Sequence, residues 1–219
     1  MRQSALIIVA KEPVPGQTKT RLCPPFSLES AAAFYRCLLL DSVALMARLE
    51  AVDHTIAYAP PNAREYFAQL APNGFSLVAQ VGANLGERLA NALGHRFELG
   101  YESVVIMNSD GPTLPLAHLE QAFSGLENAD VTLGPGHDGG YYLIGMKRLY
   151  PELFEGIDWS TERVIAQTLG TCRRLGLTVH QLPQWYDVDL AEDLERLRHD
   201  LEVEPQLAPH TWSFLQGLG

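Results

Sequence analysis

Short, almost wholly apolar runs separated by longer helical patterns constrain most strongly how this chain can fold. Such runs predict strands at 5–10, 54–59, 75–80, 104–107, 131–133 and 177–182. Apolar runs without polar alternation suit strands that are buried on both faces, and the helical stretches between them supply the crossovers that parallel strands need. The pattern therefore predicts an α/β protein with three layers, α/β/α, around a mostly parallel sheet.

Helices are predicted where apolar residues recur at helical spacing between these strands. The first begins after Ser27, which suits an N-cap, and ends near Leu49. Four more are predicted at 85–99, 116–126, 161–175 and 191–201. Pro205 and Pro209 interrupt any continuation of the last helix, so the tail is expected to dock on the body through three apolar residues, Trp212, Phe214 and Leu215.

Length and composition favour one domain that spans residues 1–219. A chain of 219 residues with 47% hydrophobic composition can bury one sizeable core and does not need two. No run approaches the ~20 consecutive apolar residues of a membrane helix, and the first strand comes too early for a secretory signal. The three cysteines are widely spaced and form no CxxC pair. We therefore expect a cytoplasmic protein with reduced cysteines and no membrane partner.

One basic segment stands out against a formal net charge of −10. It reads KEPVPGQTKTRL, follows the first strand directly, contains Gly16, and carries Lys11, Lys19 and Arg21. A loop with these cations and free backbone N–H groups is suited to bind the phosphates of a nucleotide. The segment lacks the glycine spacing and the following helix of a P-loop. Because the rest of the chain is acidic, with no basic-aromatic stripe, nucleic-acid binding is not expected.

Two acidic segments are candidates for a metal site. Asp110 follows the strand at 104–107 and precedes a Gly-Pro turn, so it is expected to face the crevice where open α/β sheets bind ligands. Asp189 is expected as the second ligand, because Mg²⁺ usually takes one or two protein carboxylates, and Asp187 shares its face of the segment. Each residue also has a structural alternative. Asp110 could cap the turn. Asp189 could be the N-cap of the last helix, with Glu192 three residues on.

The segment GPGHDGGYYLIG contains the string GxGxxG. A dinucleotide fingerprint requires a helix after the glycines, whereas residues 141–145 have the composition of a strand. A strand, a glycine loop and a second strand are therefore predicted, with His137 and Asp138 at the tip of the loop. Asp138 is then a candidate general base, and the alternative is a hairpin tip that is only solvated.

Four ordered motifs, together with the segment QVGANLGERL, resemble the glycosyltransferase-A-like family related to 2-phospho-lactate guanylyltransferase. The motifs are KEPxPGxxKTRL, SDGPTLP, DGGYYLIG and YDVDLAEDL, and the resemblance spans about residues 5–201. It implies a nucleotide-diphospho-sugar transferase (GT-A) fold with a nucleotide over the carboxyl ends of the first strands. By the same resemblance, the phosphates are bound by Lys11, Gly16, Lys19 and Arg21, the base lies near Gly82, Gly86 and Arg88, and Mg²⁺ or Mn²⁺ is held by Asp110 and Asp189.

The chain departs from the family at two positions. Asn108 stands where an Asp-x-Asp motif has its first acid, which weakens the sugar-donor interpretation. Leu190 and Ala191 stand where relatives more often have Thr-Pro, which is a variation at the start of a helix.

Three functions remain open from the sequence. The first is glycosyl transfer from a nucleotide-sugar donor to a small-molecule acceptor, with Asp138 as base and Lys19 and Arg21 stabilising the departing charge. The second is nucleotidyl transfer from an NTP to a phosphorylated acceptor, with release of pyrophosphate. The third is a regulatory protein that binds a nucleotide and has lost its chemistry. Glycosyl transfer ranks first on the resemblance alone, and the sequence does not determine the oligomeric state.

Overall fold

The computed structural model describes residues 3–217, which form one seven-stranded sheet flanked by helices. The strands are β1 (Ser4–Lys11), β2 (Asp53–Ala59), β3 (Ser76–Ala79), β4 (Ser103–Met107), β5 (Val131–Pro135), β6 (Tyr141–Met146) and β7 (Val179–Gln181). Their order across the sheet is β3-β2-β1-β4-β6-β5-β7. β6 runs antiparallel to both of its neighbours, and the other neighbouring pairs are parallel. This is the mostly parallel α/β sheet that the sequence predicts.

Seven α-helices surround this sheet in the described part of the chain. They are α1 (Leu28–Ala47), α2 (Arg64–Leu70), α3 (Leu85–Glu98), α4 (Leu116–Asn128), α5 (Val164–Arg174), α6 (Ala191–Val203) and α7 (Pro209–Gln216). α1, α2 and α4 contribute to the core on one face, and α3 and α5 to the core on the other face. The predicted α/β/α layers are thereby confirmed.

The central strands have few polar residues because both of their faces are buried. In β1, Leu6 and Ile8 face one core, whereas Ala5 and Ile7 face the other. Successive side chains of a strand point to opposite faces, so a strand between two helical layers must be apolar at almost every position.

α1 is long and apolar enough, by length and composition, to cross a membrane. In the fold, 61% of its most apolar 18-residue stretch is buried. One side of the helix packs against the sheet, through residues such as Leu39, and another side packs against α6 and α7, through residues such as Phe34. Burial on two sides accounts for the apolar composition of α1.

The positions of the predicted helices and strands agree with the structure, and two short helices were missed. Ser27 caps α1 as expected, because its side chain accepts a hydrogen bond from the backbone N–H of Ser30. α2 was not predicted, and the tail contains a helix, α7, that begins at Pro209. Proline is favoured at the first position of a helix, so Pro209 begins α7 as well as ending the helical pattern before it.

Candidate active site

A cavity of about 580 Å³ lies over the carboxyl ends of β1 and β4 and the start of β6. Six of the residues singled out by the sequence line it: Lys11, Lys19, Arg21, Asp110, Asp138 and Asp189. They come from four separate parts of the chain and meet because parallel strands end at the same edge of the sheet.

The loop after β1 provides the basic side of the cavity. Lys11 and Arg21 are exposed and have no ion-pair partner among residues 3–217. The backbone N–H groups of Thr18, Lys19 and Thr20 also have no acceptor within this range. Leu22 is fully buried and anchors the end of the loop. Free N–H groups beside free cations give this side the character of an anion site.

Lys19 differs from the other two cations because it is tied to the acidic residues. Its side chain is 6% exposed, and its Nζ lies 2.6 Å from Oδ1 of Asp189 and 2.8 Å from Oδ1 of Asp110. Burial by itself lowers the pKa of Lys19, but the charges and hydrogen bonds of Asp110 and Asp189 outweigh burial and raise the pKa above its ordinary value. The ammonium is therefore held protonated between the two carboxylates.

Asp187 adds a third carboxylate behind this pair. The backbone N–H of Val188 donates to the carbonyl of Asp110 at 3.0 Å, which holds the segment of Asp187 and Asp189 beside the end of β4. Burial, reinforced by the charge of Asp110, raises the pKa of Asp187 to about 7, against a hydrogen bond from Asn108. Its Oδ1 is buried without a hydrogen-bond partner among the described residues.

These oxygens fit a hard divalent cation. Within residues 3–217, no group of three or more His, Cys, Asp or Glu side chains is arranged to hold a metal ion. Mg²⁺ and Mn²⁺ in nucleotide enzymes need fewer protein ligands, because phosphate oxygens and water complete the coordination shell. The candidate ligand atoms here are all carboxylate oxygens, and one of them, Oδ1 of Asp187, has no hydrogen-bond partner among the described residues. Asp110 and Asp189 are the residues that would hold such a metal.

The structural alternative for Asp189 does not hold, and the side chain of Asp110 is not a helix cap. α4 has no side-chain cap, so Asp110 does not cap it. At the start of α6 the N-cap position is Leu190, and the capping side chain is that of Asp193, whose Oδ2 accepts from the backbone N–H groups of Asp189 at 2.9 Å and Leu190 at 2.7 Å. The carboxylate of Asp189 is thus left to contact Lys19.

Asp138 lines the cavity from the β5–β6 turn, and β6 lies two strands along the sheet from β1, which precedes the basic loop. The β5–β6 turn is a strand, a glycine loop and a strand, as predicted, and not a dinucleotide fingerprint. Oδ1 of Asp138 accepts from the backbone N–H of Gly140 at 2.9 Å. The side chain is exposed and lines the cavity. This hydrogen bond holds one oxygen and leaves the other without a partner in the described part of the chain.

Beside Asp138 the cavity wall is aromatic. The rings of Tyr141 and Trp159 meet edge to face, with centroids 6.2 Å apart. Trp159 packs on the start of α3, where a Cβ on Gly86 would lie 2.9 Å from its Nε1. Burial raises the pKa of Tyr141 well above its ordinary value.

Four predicted binding residues are absent from the lining of this cavity: Gly16, Gly82, Gly86 and Arg88. Nε of Arg88 donates to the carbonyl of Gly82 at 3.1 Å, which ties the end of the β3–α3 loop to α3. Gly86 lies against the carbonyl of Phe154. In this structure, therefore, Gly82, Gly86 and Arg88 have packing contacts around the N-terminus of α3.

Several lining residues were given no role in the site from the sequence. Gln80 donates from Nε2 to the carbonyls of Ala10 and Ala57, at 3.1 and 2.8 Å. Trp159 and Glu162 come from the segment before α5, far from the motifs. Nothing in their local sequence marks them, because a cavity position depends on which loops the fold brings together.

Comparison with known proteins places the chain in a class and then in a family. The fold is that of the nucleotide-diphospho-sugar transferases. One solved structure, a protein from Desulfovibrio desulfuricans G20 provisionally described as a nucleotide-diphospho-sugar transferase, is 36% identical, with a TM-score of 0.91 over 99% of this chain and 95% of that chain. The chain belongs to the family DUF2064, described as uncharacterized proteins conserved in bacteria, whose model matches residues 42–161.

More distant structures share the fold alone. CMP:2-keto-3-deoxy-manno-octonic acid synthetase in complex with CTP is 12% identical, with a TM-score of 0.57 over 92% of this chain and 99% of that chain. Rv0371c of Mycobacterium tuberculosis H37Rv in complex with manganese is 17% identical, with a TM-score of 0.56 over 89% of this chain and 97% of that chain. No curated protein matches the chain.

Proposed function

We propose that this protein is a metal-dependent transferase that moves a glycosyl group from a nucleotide-sugar to the hydroxyl of a small acceptor. The observation that carries the proposal is the order of charges along one cavity. Across the neighbouring strands β1, β4 and β6, the free cations lie at or after the end of β1, Asp110 follows β4 and shares Lys19 with Asp189, and Asp138 precedes β6. The description of the 36% identical structure as a nucleotide-diphospho-sugar transferase supports a sugar donor.

The basic loop is the proposed site of the donor diphosphate. Lys11, Arg21 and the free N–H groups at 18–20 bind its oxygens, because charge-assisted hydrogen bonds to phosphate are strong. Asp110 and Asp189 would hold a divalent cation that supplies positive charge to the same oxygens. These groups stabilise the nucleoside diphosphate as it gains charge on leaving.

Asp138 is the proposed base toward the acceptor. The acceptor oxygen forms a bond to the anomeric carbon of the donor sugar, and the bond from that carbon to the phosphate oxygen breaks. The electron pair leaves with the nucleoside diphosphate, and the acceptor proton passes to the carboxylate of Asp138. Positioned proton transfer of this kind contributes about 10²–10⁴ in rate.

Nucleotidyl transfer is the second candidate. It is supported by the basic loop, which also suits the triphosphate of an NTP, and by the shared fold with a synthetase bound to CTP. In this reaction a phosphorylated acceptor attacks the α-phosphorus and pyrophosphate leaves.

A ligand screen followed by product analysis separates these functions. NTPs, nucleotide-sugars and nucleoside diphosphates are tested for an increase in melting temperature with Mg²⁺ or Mn²⁺, since a ligand that binds only the native state stabilises it. With the best ligand, release of nucleoside diphosphate supports glycosyl transfer or donor hydrolysis, and pyrophosphate identifies nucleotidyl transfer. Tight binding without either product supports a regulatory protein.

We predict that Asp138→Asn keeps donor affinity and lowers turnover by about 10²-fold or more. The Oδ1 of asparagine can still accept from Gly140, so the loop is expected to keep its shape while the base is lost. Calorimetry gives donor affinity, and product formation at saturating donor gives turnover. Turnover near that of the wild type would rule out Asp138 as the base.

A further inference from the structure

The side of the cavity around Asp138 has a charge opposite to that of the basic loop. Its charged side chains are Asp138 and Glu162, and both are exposed to the cavity. His137, which precedes Asp138, contacts Arg196 at 2.8 Å, and neither of these basic groups is a lining residue. Arg163, the residue after Glu162, is not a lining residue and pairs with Asp158 at 3.2 Å.

The two acids are held near each other by contact between their loops. Gly139 lies so close to the backbone of Glu162 that a Cβ on Gly139 would be 2.3 Å from the carbonyl oxygen of Glu162. The carbonyl of Gly139 also accepts from the backbone N–H of Ile165 at 2.9 Å. The backbones that carry Asp138 and Glu162 are therefore fixed relative to each other by packing and a hydrogen bond.

The rest of this side is apolar or neutral. Tyr141 and Trp159 form the aromatic wall, and Leu85, Leu89 and Val164 line the cavity beside it. Ser160 and Thr161 are the neutral polar residues there. Aromatic and apolar surface with a few polar groups is typical of a small-molecule site, and its polar groups determine which ligand is accepted.

We infer that this side is the acceptor subsite and that it takes an uncharged, polyhydroxylated molecule while excluding phosphorylated ones. A phosphomonoester there would face two carboxylates without a compensating cation, and like charges brought together oppose binding. A hydroxyl can donate to either carboxylate. The inference rests on the proposed function and separates its two forms, because nucleotidyl transfer to a phosphorylated acceptor requires a phosphate at this subsite.

Binding of matched ligand pairs tests the inference. The donor side is first saturated with Mg²⁺ and GDP or CDP, whichever raises the melting temperature more, so that free phosphate groups cannot bind there. Ligand-detected NMR then compares methyl α-D-glucopyranoside with glucose 1-phosphate, glycerol with glycerol 3-phosphate, and inositol with inositol 1-phosphate. We expect at least one uncharged member to bind, and at least tenfold more tightly than its phosphorylated partner.

A charge reversal provides the second arm. Glu162→Lys should improve the affinity for phosphorylated members at least tenfold and leave nucleotide binding intact. Glu155→Lys is the control, because Glu155 is exposed and does not line the cavity. Glu155→Lys makes the same change in net charge and should not alter the preference for uncharged over phosphorylated ligands.

The outcomes distinguish the inference from the proposed function. The inference is overturned if no uncharged member binds, if the phosphorylated members bind wild type equally well, or if Glu162→Lys behaves like Glu155→Lys. If neither nucleotide stabilises the wild type, the proposed function fails and the inference falls with it.

Discussion

At the scale of single residues, Lys19 is the side chain whose surroundings differ most from its expected role. The basic segment and the family resemblance suggested a cation that is free to bind phosphate. Instead the side chain is buried and neutralises Asp110 and Asp189. Its ammonium contacts one oxygen of each carboxylate, so a divalent cation held by the same two residues would compete with the lysine for those oxygens.

We therefore predict that Lys19→Met increases the affinity for Mn²⁺ in the absence of nucleotide, by about tenfold or more. Removal of the ammonium frees two carboxylate oxygens, which hard cations prefer. Titration calorimetry with Mn²⁺ measures the effect. Lys11→Met is the control, because it removes one positive charge from the same cavity without contacting the carboxylates. Equal Mn²⁺ affinity in the two variants would contradict direct competition.

Arg21 is exposed and lines the cavity, and its contact with phosphate stays a prediction. We predict that Arg21→Ala weakens nucleotide binding by about 1.5–3 kcal/mol, the range for a hydrogen bond to a charged group, and leaves the melting temperature unchanged because the side chain is exposed. Arg48→Ala, an exposed change at the end of α1, should alter neither quantity. Calorimetry and thermal unfolding on the same samples provide both values, and unchanged affinity in Arg21→Ala would exclude a phosphate contact.

At the scale of elements, the site depends on loops that pack on one another. The β5–β6 turn carries Asp138, and the segment before α5 carries Trp159 and Glu162. Gly139, at a φ of 84°, allows the backbones of these two loops to touch. The arrangement of the acidic side therefore depends on a residue without a side chain.

We predict that Gly139→Ala destabilises the protein more than Gly156→Ala does. Both glycines have left-handed φ values, 84° and 65°, which cost about 1–2 kcal/mol with a side chain. Only Gly139 is also crowded, since a Cβ on Gly156 meets nothing within 4 Å. The difference in the free energy of unfolding, measured with urea, isolates the contact. Equal losses would show that the loops can separate at no cost.

At the scale of the whole molecule, a buried histidine links stability to pH. His118 on α4 is buried, and its Nδ1 lies 3.2 Å from the hydroxyl oxygen of Tyr142. That hydroxyl donates to the carbonyl of Pro183 at 3.0 Å, so the His118 Nδ1–H donates to Tyr142. Burial lowers the pKa of His118 below 6.5.

The sign of the effect follows from proton binding. Below pH 6.5 the unfolded chain binds a proton at His118 that the folded protein does not, so stability falls as pH falls toward the folded pKa. We predict that His118→Asn, which keeps a donor near the position of Nδ1, reduces this decline between pH 7 and 5. Urea unfolding across this range, with His199→Asn as an exposed control, measures the slope. An unchanged slope in His118→Asn would exclude this source.

The helix at the end of the chain shows why part of the fold was not predictable. Two backbone N–H groups at the start of α7, from His210 and Thr211, donate to the carboxylate of Asp41 at 3.1 and 2.8 Å. No local residue supplies this cap, and Asp41 lies on α1, far away in sequence. By contrast, Ser27 caps its own helix three residues on, and that start was predicted.

The sequence by itself determined the strands, the main helices and the segments that carry charge, because these depend on local periodicity and on turn residues. It also indicated that Lys19, Asp110 and Asp189 belong to one site. Only the tertiary structure decided that Lys19 is shared by both carboxylates, that Asp193 and not Asp189 caps α6, and that Glu162 joins Asp138. Each of these depends on distances between segments far apart in the chain, which are set when the layers pack and the strand ends meet at one edge.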